Sequence, residues 1–127
     1  MNSANDNKER IVRTPTTQPV LNEVLAERIR QDEKWGEQNW PSFNERIAPA
    51  HRPLYYGIIE EGAAKWRTEH RFKERAGSYA DIFIEEVAES IEAETEELLR
   101  EELVQVAAVA VAWIEAIDRR KAKERAA

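Results

Sequence analysis

Between Leu99 and Ile117 the chain reads LREELVQVAAVAVAWIEAI, and no other stretch limits its possible folds as much. Leu99, Leu103, Val106, Ala110, Trp113 and Ile117 recur at alternating steps of four and three, the packing seam of a helix in a bundle. Val104, Ala107, Ala108, Val111 and Ile114 spread the apolar surface to nearly every side. Such a helix has to be surrounded, by other helices of the same chain or by a second subunit. It does not cross a membrane: the run Leu103–Ile114 is twelve residues long and contains Gln105, whereas a bilayer needs about 20 apolar residues.

The rest of the chain is consistent with an all-α protein. It has 127 residues, enough for one domain with its own core, and only four Gly and five Pro. Residues 1–18 are rich in Asn, Thr, Ser and Pro and are expected to form a disordered tail, with residues 19–127 as a single helical domain. Pro19 suits a first helical turn; Val20, Leu21, Val24, Leu25, Ile29 and Trp35 then form an apolar stripe that Gly36 ends. Asn39–Pro53 holds three prolines with Trp40 and Phe43, and a connection of that length suggests a lid. A second helix is expected from Leu54 to about Arg75, weakened by Gly57 and Gly62. Ser78 caps a third, which turns Ile82, Phe83, Val87 and Ile91 inward, and Thr95 caps the last.

The net charge of −6 disfavours a sequence-independent grip on nucleic acid. The absence of cysteine excludes disulfides and thiolate zinc sites. The polar start MNSANDNKER has no apolar stretch of a signal peptide, so a cytoplasmic protein is expected.

Charge is concentrated where the last two helices would meet. With their turn centred between Thr95 and Glu96, an antiparallel hairpin sets Glu89 opposite Glu102 and Glu86 opposite Gln105. Each pair of neighbours on one helix is spaced i, i+3, on one face. Four oxygen-bearing side chains then converge, and like charges so close repel unless a cation lies between them. Hard divalent cations take such oxygen ligands. The duller alternative is a solvated acidic face, because segment 85–102 holds nine glutamates. Against it stand the matched register of the two pairs and Gln105, the lone polar residue in an apolar run.

EEVAE at Glu85–Glu89, twelve intervening residues, and then ELVQ at Glu102–Gln105 resemble the paired EExxE and ExxD motifs of the MazG-like, all-α nucleoside triphosphate pyrophosphohydrolases. The flanking ERIRQDEKWGEQN (Glu27–Asn39) and LREELVQVAAVAVAWIEA (Leu99–Ala116) are similar to helices of that family, and Asn44–Gly77 matches it least. The resemblance implies a four-helix bundle completed as a homodimer or homotetramer. It implies Mg²⁺ or Mn²⁺ on Glu86, Glu89 and Glu102, with Gln105 in the position of the motif's Asp, a departure that removes a charge. Glu85 would stand behind the metal ligands, or act as a base that orients the attacking water. The reaction would release a nucleoside monophosphate and pyrophosphate from a ribo- or deoxynucleoside triphosphate.

Arg30, Lys34, Lys65 and Arg67 are candidates for triphosphate oxygens, each with the alternative of an ordinary surface cation. Trp35, with Gln38 and Asn39 beyond it, is a candidate to stack a base and read its edge; the alternative is a core residue closing its helix. His51 and His70 do not follow a Glu by three, which disfavours a di-iron carboxylate bundle. No Walker-type glycine loop is present. The rival function is a non-catalytic MazG-like module that binds a nucleotide or a partner protein.

Overall fold

The structure is a computed structural model that describes residues 16–126. Among them are five α-helices, one 3₁₀ turn and no strand. The helices are α1 (Thr17–Trp35), α2 (Arg52–Tyr56, preceded by the 3₁₀ turn Pro49–His51), α3 (Glu61–Lys73), α4 (Tyr79–Ile91) and α5 (Glu96–Ala126). Residues 1–15 of the expected tail lie outside the described residues, whereas Thr17 and Gln18 already belong to α1.

The chain divides into two compact units, with α5 contributing to both. One contains α1 and continues to Gln38, together with α5 from Val111 onward. Gly36 closes α1 as expected: its φ of 66° suits glycine, and its amide bonds to the Asp32 carbonyl at 2.7 Å. The apolar stripe does not go inward, however. Val20 is buried, but Leu21, Val24, Leu25, Ile29 and Trp35 are exposed.

The other unit runs from Asn39 to Ala110. Here the single helix expected from Leu54 to Arg75 is two helices. Gly57, at φ 68° and ψ 34°, takes the left-handed conformation, and Ile58 N–H reaches back to the Pro53 carbonyl at 2.9 Å. That closes α2 after five residues, and the chain re-enters a helix at Glu61. Two residues beyond α3, Arg75 has φ 59°, a conformation unfavourable for a residue with a Cβ. Ala76 N–H bonds there to the Arg71 carbonyl at 2.8 Å.

α3 and α4 pack together, and the near-complete burial of Ala64 and Ala88 shows small residues where backbones come close. Thr68 Oγ1 donates across this interface to the Asp81 carbonyl at 3.3 Å. Ser78 caps α4 through a reciprocal capping box with Asp81. The Asp81 carboxylate does more than support the helix dipole: it also pairs with Arg71 Nη1 at 2.5 Å. That bond holds its carboxyl below the usual range. Thr95 Oγ1 accepts the Leu98 N–H at 3.1 Å and caps α5 as expected.

α5 is less enclosed than its composition suggests. Of its seam, Leu99 is buried and Val106, Ala110 and Trp113 are half-buried, but Leu103 is 50 % and Ile117 37 % exposed.

Candidate metal and phosphate site

The carboxylates arise from two elements that meet at the turn Glu92–Thr95. On α4, Glu85, Glu86 and Glu89 each offer a carboxylate oxygen, all within 4.8 Å of one another. The spacings i, i+3 and i, i+4 account for this, since they return side chains to one helical face. From α5, Glu102 comes within hydrogen-bonding reach of Glu89. The register read from the sequence, Glu89 against Glu102, is therefore the register of this unit.

The electrostatics follow from that proximity. Burial, then the hydrogen bond to Glu102 and the charge of Glu86, push the Glu89 carboxyl up to about 7. Glu86 is also raised, first by burial and then by Glu102 and Glu85. Crowding of Glu86, Glu89 and Glu102 thus favours protonation within the cluster. A cation in place of a proton would relieve the same repulsion.

Of the cluster, Glu89 and Glu102 border a cavity of about 400 Å³ whose lining also includes Glu61, Lys65, Glu92 and Glu94. Lys65 comes from the second turn of α3 and is the cation of the lining. Glu92 has a separate task. Its Oε2 accepts the Glu61 N–H at 2.6 Å, so it caps α3, whose own N-cap residue supplies no side-chain bond. Glu61 is raised by burial, then by Glu92, Glu102 and Glu94. The sequence reading missed Glu61, Glu92 and Glu94. The signal for Glu61 was the break at Gly57, which makes it the first residue of a new helix.

Gln105 does not join the cluster in the expected manner. It lies one turn beyond Glu102 but is exposed, and its side chain makes no hydrogen bond among the described residues. The premise that a polar group in this apolar helix needs a protein partner fails because this part of α5 is open to water, with Val104 53 % exposed beside it.

The remaining candidates are divided between the two units. Arg30, Lys34, Trp35 and Gln38 belong to the unit of α1, and the acidic cluster belongs to the other. Arg30 pairs with Glu27, with contacts of 2.9 and 2.5 Å, and Lys34 lies 4.8 Å over the Trp35 ring. Trp35 is 56 % exposed, so it is not a core residue of its helix. Asn39 begins the second unit and is exposed, and Arg67 is half-buried on α3. His70 stacks on Trp66 at 3.8 Å.

The expected lid is tied down. Ser42 Oγ bonds to Glu96 at 3.0 Å, Asn44 bonds through its amide to the Tyr56 hydroxyl at 2.8 Å, and Arg52 reaches the end of α4. No described helix is long and apolar enough to cross a membrane. Comparison of the chain with protein-family models, with curated proteins and with solved structures finds no match.

Proposed function

We propose that the protein is a MazG-like nucleoside triphosphate pyrophosphohydrolase, with its site at the α4–α5 hairpin. One observation carries the reading: Glu86, Glu89 and Glu102 crowd together from two helices beside a cavity that also presents Lys65. The donor set is all oxygen, half-buried and mutually repulsive, which suits Mg²⁺ or Mn²⁺. When bound by these residues, that ion would supply activation of a water and neutralisation of phosphate charge.

The chain's own groups have separable roles. Glu86, Glu89 and Glu102 would hold the cation, and the raised Glu89 carboxyl would have to be ionised for it to do so. Glu85, within reach of both α4 ligands, orients the attacking water and accepts its proton. Lys65 faces the triphosphate as a point charge from the cavity lining. Attack at the α-phosphorus then yields a nucleoside monophosphate and pyrophosphate. The exposed apolar residues of α1 and α5 support a homodimer or homotetramer built on the four-helix MazG-like plan.

Gln105 favours a second reading. A neutral, exposed residue where the motif carries Asp is what a nucleotide- or partner-binding module without turnover would tolerate. One experiment separates the two: incubation with each common NTP and dNTP, with Mg²⁺ or Mn²⁺, and identification of the products. Equal amounts of monophosphate and pyrophosphate are expected. Glu86→Gln, Glu89→Gln and Glu102→Gln should each abolish that release. Orthophosphate with a diphosphate would refute cleavage at the α-phosphorus, and nucleotide binding without products would establish the non-catalytic module.

A further inference from the structure

The approach of Glu89 to Glu102 depends on the four-residue turn Glu92–Thr95, because a shift there would move every carboxylate on α4 relative to α5. The turn's own polar groups need partners. The last carbonyls of a helix have no acceptor role within it, and α4 ends at Ile91. Arg52, at the start of α2 and far from the hairpin in sequence, supplies the missing donors. Its Nη1 donates to the Ile91 carbonyl at 3.2 Å and to the Ala93 carbonyl at 2.7 Å. A guanidinium at the C-terminal end of a helix also meets the negative end of the dipole.

Arg52 is itself held in place. Its guanidinium carbon lies 4.0 Å from the centre of the Phe43 ring. Phe43 is flanked by Ser42 on Glu96 and by Asn44, whose side chain bonds to the Tyr55 hydroxyl at 3.0 Å. The segment from Ser42 to Arg52 is thus a strap across the turn, joined to α5 at one end and to α4 at the other. Lysine could not replace the arginine, because an ammonium lacks the planar face that lies on Phe43.

We infer that Arg52 is a positioning residue for the carboxylate site: it fixes the α4–α5 turn in the register that sets Glu89 against Glu102. The inference rests on the metal-site reading above, but adds that the strap, outside both acidic motifs, decides whether the ligands converge.

Mn²⁺ affinity, measured by calorimetry or electron paramagnetic resonance, provides the test. Wild type is compared with Arg52→Lys, Arg52→Ala and Ser78→Ala, the last a variant that weakens α4 without touching the turn. Arg52→Lys and Arg52→Ala should each lose about tenfold or more in affinity under conditions where circular dichroism shows them folded. Ser78→Ala, equally folded, should bind as wild type does. Added ethylguanidinium should restore affinity in Arg52→Ala and not in Arg52→Lys, a rescue that general destabilisation does not produce. If Arg52→Ala does not fold, Arg52→Lys alone decides. Folded Arg52 variants with wild-type affinity would overturn the positioning role and leave the metal site standing. Failure of wild type to bind Mn²⁺ would overturn both.

Discussion

Glu89 is the side chain on which burial and the neighbouring carboxylates act together. Its folded carboxyl titrates near 7, against 4.5 for an ordinary glutamate. From pH 4.5 to 7 the unfolded chain therefore releases a proton that the folded chain keeps. Stability of the metal-free protein must fall across that window as pH rises, then level off. The loss is on the order of 1–3 kcal/mol, reduced by the exposure that Glu89 retains. Glu89→Gln keeps a similar shape without the charge, so its stability should show a much shallower slope. Above pH 7 it should melt higher than wild type in EDTA. Melts at pH 5, 6, 7 and 8 test this, and Mn²⁺ at pH 8 should raise the wild-type midpoint but not that of the variant. Arg75 makes a second residue-scale case. It sits at φ 59° two residues beyond α3, where glycine avoids the Cβ clash. Arg75→Gly should raise stability by about 0.5–1 kcal/mol in urea denaturation, the relief exceeding the added entropy of the unfolded chain.

At the scale of elements, most boundaries have local causes. Gly36, Ser78 and Thr95 each stop or start a helix through bonds within a few residues, so each was legible in the sequence. Ser78 accepts the Asp81 N–H and also donates to its carboxylate at 2.9 Å. Ser78→Ala should cost about 1 kcal/mol, read as a lower urea midpoint with an unchanged slope. The break between α2 and α3 was half legible. Gly57 was visible as a weak point, but helical continuation and a left-handed close are both open to glycine. Ile58 bonding back to Pro53 selects the second. The capping of α3 by Glu92, about thirty residues away, has no signal in local sequence.

For the whole molecule, the open question raised by the sequence was what covers the apolar helices. Among the described residues, α1 leaves Leu25 57 % and Ile29 51 % exposed on its apolar stripe, and α5 separately leaves Leu103 50 % exposed. The proposed oligomer predicts a particle of two or four times 14.7 kDa by light scattering. Ile29→Glu should dissociate it by placing an unpaired charge on the α1 stripe, while the helical signal per residue stays within about a tenth. A wild-type mass of one chain would remove the oligomer from the reading. By itself the sequence determined the helical class, the caps at Ser78 and Thr95, and the register of Glu89 against Glu102. Each of these depends on periodicity or on a turn only a few residues long. Only the tertiary structure decided that Gln105 is solvated, that α1 turns its stripe outward, that Glu61 borders the site, and that Arg52 clasps the hairpin. Those facts depend on which distant groups come together, and burial and pairing are properties of the assembled surface, which no local pattern of residues encodes.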